Sequence, residues 1–199
     1  RQTMANWIIS ASNLTKPIYD EIKKELVSAR IIHADETELE VLAEPERRPQ
    51  TKSYMWVYTT GKSEDKNIIL YDYKEGRSGK YAAEFLKGFT GYVHCDGWNG
   101  YDKVENIKRV GCWAHARRYF KEAINVQANI KDYSTVAGQG FLWIEKIFST
   151  EDKITDAEEI KKIRETKGKE AVNGFFNFCE TAEALPKSLT GKAVSYAIN

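Results

Sequence analysis

The sequence predicts a mixed α/β fold, a sheet flanked by helices with further helical segments before and after it. Three observations predict it. Apolar and polar residues alternate with period two from Arg30 to Leu42, several short strand patterns follow before Gly111, and nearly everything beyond about residue 125 has helical spacing.

Residues 1–29 form a helical lead-in. Met4, Trp7, Ile8, Ala11 and Leu14 share one helical face, and Ile18, Ile22 and Leu26 share another after Pro17. Proline suits the first turn of a helix, so two helices are expected here. Along the first strand, Ile31, His33, Asp35 and Thr37 lie on one face and Ile32, Ala34, Glu36 and Glu38 on the other. Asp35 thus shares the less charged face. Strands at 54–59 and 67–73, joined by a turn at 61–65, continue it as an antiparallel meander.

A helix with Ser78 as its N-cap comes next. A short apolar strand then runs into Asp96, another strand covers 108–111, and a helix opens at Cys112. Residues 30–125 are read as the sheet-containing core and 126–199 as a helical insertion. Within the latter, residues 151–170 hold seven acids and six bases, the composition of a solvated helix.

At 199 residues the chain is long enough to bury a real core. Thirty basic residues against twenty-nine acidic ones give a net charge of +1, which argues mildly against a dedicated nucleic-acid-binding module. No run approaches the roughly 20 apolar residues of a membrane span, and the N-terminus lacks a signal-peptide pattern. Three cysteines without framework spacing favour reduced thiols in a cytoplasmic setting.

The chemistry centres on two His-x-Asp stretches, His33-Ala-Asp35 and His94-Cys-Asp96, the second followed at once by Gly97. On strands, residues i and i+2 share a face, so these four side chains are expected to project toward one point. Two converging carboxylates repel unless a cation lies between them, and Mg²⁺ or Mn²⁺ also positions phosphate. The plainer reading is that each acid caps a turn or pairs with a nearby Lys or Arg. His33 and His94 also allow a Zn²⁺ or Fe²⁺ site. Cys112 and His115 make only half of a zinc site. Arg117 and Arg118, beside His115 and near Lys121, suit a phosphodiester, since Arg grips phosphate with two hydrogen bonds. A solvated helix face is the alternative. Trp98, Tyr101 and Trp113 fit either base stacking or core packing.

Several motifs then occur together in order: His33-Ala-Asp35-Glu-Thr37, Tyr54-x-Trp56-Val-Tyr58, Arg77-Ser-Gly79, Asp96-Gly-Trp98 and Cys112-Trp-Ala-His-Ala-Arg-Arg-Tyr-Phe120. The whole chain resembles the central domain of bacterial transposases of the insertion-sequence sixty-six family, and the nine-residue run from Cys112 is the most specific part. The resemblance implies a DDE-type catalytic core on a ribonuclease H-like fold, with Asp35 bridging two Mg²⁺ (or Mn²⁺) ions and Asp96 holding one. His115, Arg117 and Arg118 become candidates for gripping a DNA phosphate. Expected partners are DNA, both transposon ends and target, and further copies of the chain on that DNA. The implied location is the bacterial cytoplasm, at the nucleoid. The family's third acid, a Glu in an Asn-Asn-x-x-Glu-Arg-like motif, is not met before Asn199, and Glu145, Glu158 and Glu159 match nothing. The chain is therefore expected to be a fragment, weak or inactive alone. Rival readings are a ribonuclease H-like nuclease without joining activity and a non-catalytic DNA-binding or assembly fragment.

Overall fold

The structure, a computed structural model, describes residues 2–198 and divides into two compact units, residues 1–111 and 112–199. The expected boundary near residue 125 falls between two helices of the second unit.

In the first unit, helix α1 (Gln2–Val27) runs unbroken through Pro17 where two helices were expected. The proline removes one backbone hydrogen bond. That loss is tolerated because residues 2–18 are exposed, so the orphaned carbonyl faces solvent. Of this helix's residues only Leu26 is buried, and the apolar side chains at Met4, Trp7 and Leu14 stand in solvent.

Five strands follow: β1 (Ile31–Glu40), β2 (Lys52–Thr60), β3 (Ile69–Lys74), β4 (Tyr92–His94) and β5 (Lys108–Val110). They form one mixed sheet in the order β3-β2-β1-β4-β5. β1–β2 and β2–β3 pair antiparallel, the expected meander, whereas β1–β4 and β4–β5 pair parallel. Parallel neighbours need a crossover, and helix α2 (Gly79–Phe85) lies in the one between β3 and β4. Ser78 occupies its N-cap position, but the side chain makes no capping hydrogen bond. After α2, Gly88 sits at φ +87°, a conformation L side chains rarely adopt, and the chain turns there toward β4.

The alternation of β1 is as the sequence indicates, yet the buried face is the more acidic one. Ile32 and Ala34 pack into the core with Trp56, Tyr58, Leu70, Phe85 and Val93, and Glu36 lies on that same face. Tyr58 stacks on Phe85 with ring centroids 3.8 Å apart. The turn past β4 contains a 3₁₀ segment, Asn99–Lys103, whose Tyr101 is fully buried. It meets the start of α2 at two glycines: a Cβ on Gly79 would lie 2.1 Å from the Gly100 carbonyl oxygen.

The second unit is helical: α3 (Trp113–Asn125), α4 (Val136–Ser149), α5 (Ala157–Ile163), α6 (Lys169–Thr181) and α7 (Leu189–Ile198). A π-helical segment, Arg164–Gly168, joins α5 to α6. Phe120, Ile124, Phe141, Ile144, Phe175, Cys179 and Val194 form its core. α5 buries nothing, in keeping with its charge-rich sequence. Among the described residues, no helix is long and apolar enough to cross a membrane.

The Gly79–Gly100 contact leaves no room for a methyl group. Gly79→Ala is expected to destabilise the first unit by about 1–3 kcal/mol, the usual cost of overpacking. Gly76→Ala, with nothing within 4 Å of its would-be Cβ, should stay within about 0.5 kcal/mol. Chemical denaturation of both variants checks this, and equal stabilities would refute it.

Candidate active site

β1 and β4 lie side by side and parallel, with His33 directly opposite His94. Their Nδ1 atoms are 2.6 Å apart and the rings meet edge to face. Burial first, then the neighbouring His94 and Lys62, holds His33 below the usual imidazole range. A neutral imidazole offers one donor and one acceptor, which is what a bond between two facing Nδ1 atoms requires. His33 also lines an open cleft of about 500 Å³ with Thr59, Lys62, Glu64 and Asn67. The two histidines thus converge as the sequence suggests.

Asp35 and Asp96 each lie two residues beyond this pair, one still within β1 and the other just past β4. Asp35 is exposed, and its Oδ1 accepts from the Glu36 backbone N–H at 3.0 Å. Asp96 is held at both ends. Oδ1 accepts from the Trp98 backbone N–H at 2.9 Å, and Oδ2 lies 3.2 Å from Arg77 Nη2. The donors are carboxylate oxygens, the set a hard divalent cation takes, and Mg²⁺ is commonly held by only one or two carboxylates plus substrate phosphates. Among the described residues, no group of three or more His, Cys, Asp or Glu could hold a metal ion. The structure thus offers two carboxylates with separate hydrogen-bond partners and, among the described residues, no closed cage.

Sequence reasoning missed the carboxylate beside them. The Glu36 side chain is 1% exposed, and its Oε1 lies 2.6 Å from Arg77 Nη2 and 2.7 Å from Nε. Its Oε2 accepts from the Tyr101 hydroxyl at 2.7 Å. Burial pushes the Glu36 carboxyl up, against the opposing pull of its bonds to Tyr101 and Arg77. Burial, reinforced by the Glu36 charge, also drives the Tyr101 hydroxyl strongly upward, so it stays a donor. The Arg77 guanidinium lies over the Trp98 ring at 4.5 Å. Trp98 and Tyr101 pack with Trp56 in an aromatic cluster, so the two are core residues rather than exposed stacking platforms. The only signal for Arg77 in the sequence is its place in Arg77-Ser-Gly79.

These paired strands and acids can be set beside known proteins. A family model described as "Transposase IS66 family" matches residues 1–199. The chain belongs to the IS66 family of transposases. This IS66-family chain is similar to two uncharacterised proteins of Sinorhizobium fredii. It is 26% identical to y4qI over all of the chain and 39% of that protein. It is 27% identical to y4hP over 84% of the chain and 33% of that protein. The chain thus spans about two-fifths or less of their lengths. No solved structure matches it.

The other phosphate candidates of the IS66-family chain lie in its second unit, on α3. Arg117 Nε pairs with Glu145 Oε1 of α4 at 2.5 Å and its guanidinium lies over Phe141, a bracing arrangement between two helices. Arg118 is exposed, 3.9 Å from Glu122. His115 Nδ1 is buried and, among the described residues, has no hydrogen-bond partner. Trp113 packs on Phe175 and Phe176, a core role.

Two outcomes are expected. Tyr101→Phe leaves a buried Glu36 oxygen without its donor and should cost about 1–3 kcal/mol, measured by denaturation; an unchanged midpoint would contradict the bond. Cys95, just before Asp96, is buried and its thiol is pushed up to about 12, chiefly by burial. At pH 8 it is therefore almost wholly protonated. Iodoacetamide should label the half-buried Cys112 well before Cys95, as read by peptide mass spectrometry, and equal rates would exclude the burial argument.

Proposed function

We propose that this chain is the DDE-type catalytic core of its transposase, on a ribonuclease H-like sheet, cutting DNA at the element's ends and joining it to target DNA. The observation carrying the reading is the parallel β1–β4 pair, with Asp35 on β1 and Asp96 just past the end of β4. The sheet order β3-β2-β1-β4-β5, with three antiparallel strands followed by two parallel ones, supports it.

In this reading Asp35 and Asp96 would hold divalent magnesium or manganese, which would supply positive charge for the phosphodiester and activate the attacking water. Asp35 contributes an exposed carboxylate able to meet both metal and substrate. Asp96 contributes one whose orientation is fixed by Trp98 and Arg77. A third acid completes such a site; Glu145 is engaged by Arg117 and is not assigned that part. Arg118, exposed on α3, remains the better of the two arginines for a DNA phosphate. Multimerisation on DNA belongs to the same proposal.

The histidines give the contrasting prediction. Mn²⁺ binding followed by calorimetry should be lost in Asp35→Ala and in Asp96→Ala but retained in His33→Ala/His94→Ala. Tight Zn²⁺ binding that requires the histidines would sink the transposase chemistry in favour of a His-based hydrolase. In an assay with a DNA end, cleavage without joining would reduce the assignment to a nuclease.

A further inference from the structure

Among the described residues, Arg77 is the one cation that touches both a buried carboxylate and an acid of the proposed site. Its Nε and Nη2 engage Glu36 Oε1, and Nη2 also reaches Asp96 Oδ2 at 3.2 Å. The guanidinium cannot drift, because Glu36 is itself fixed by Tyr101 and the Trp98 ring lies against it. The loop bearing Arg77 is in turn seated by the Gly79–Gly100 contact, at which α2 meets the turn that follows Asp96. Arg77 and the Trp98 N–H therefore grip opposite oxygens of one carboxylate, which fixes its plane while each oxygen keeps a lone pair directed elsewhere.

We propose that Arg77 is the positioning residue of the acid site: anchored on Glu36, it orients the Asp96 carboxylate for its ligand. The inference rests on the reading of Asp96 as a metal ligand, and it deepens that reading. Hydrogen-bond partners that orient metal-binding carboxylates typically govern affinity by about 10–100-fold. Lysine is no substitute. Its ammonium is a single point charge and cannot span two carboxylates as the planar guanidinium does.

The test begins with metal-free protein. Amide hydrogen exchange at Trp98 reports whether Asp96 still holds that N–H. Arg77→Gln and Arg77→Lys should each speed Trp98 exchange about tenfold or more, with amides of β2 such as Trp56 and Tyr58 unchanged. An unchanged Trp98 rate in either variant overturns the proposal. So does a uniform acceleration through the first unit, which would mean that Arg77 serves stability alone. A calorimetric Mn²⁺ titration is the second arm. Where wild-type binding depends on Asp96, both Arg77 variants should weaken it about 10–100-fold, and equal or tighter binding overturns the proposal. If wild-type protein does not bind Mn²⁺ through Asp96, the metal reading fails by itself, and the exchange data alone judge whether Arg77 orients that carboxylate.

Discussion

A carboxylate buried to 1% exposure sets the terms for this end of the sheet. Removing Glu36 from water is costly unless its oxygens are bonded and its charge is met. No neighbour on β1 can do either, so the partners come from elsewhere: Arg77 from the loop before α2 and Tyr101 from the 3₁₀ segment past β4. Satisfying one side chain thus draws two distant segments onto the edge of β1. The turn that brings in Tyr101 also carries Asp96 and Trp98. The geometry of the outer acid is therefore a consequence of satisfying the inner one.

Much of this arrangement was legible in the sequence because it rests on short-range periodicity. The alternation through β1, the antiparallel meander and the helical second half each repeat over several residues, so their patterns survive without tertiary information. The approach of His33 to His94 was legible for a different reason. Two His-x-Asp stretches, each on a strand, single out the same face twice, and the structure sets His33 opposite His94.

What was not legible depends on contacts that leave no local trace. Polarity makes the Ile31–Asp35 face look like the inner one, yet the face bearing Glu36 is buried, because Arg77, 41 positions later, neutralises it. Pro17 looks like a helix start, but proline is forbidden in a helix only as far as the lost bond matters, and there solvent replaces it. Ser78 has the right chemistry for a cap and does not make the bond. Arg117, read as a grip for phosphate, has its own carboxylate on α4.

The two outer acids are unequal in a way that suits the proposed site. Asp35 keeps its exposure and a single bond to the adjacent backbone N–H, so its carboxylate can adjust at little cost. Asp96 is bonded at both oxygens and has no such freedom. Mg²⁺ demands near-octahedral geometry and gives up water reluctantly. Two rigid carboxylates would have to be placed without error, and two mobile ones would lose entropy on ordering. One fixed ligand that sets the position and one adaptable ligand that closes on it meets both conditions.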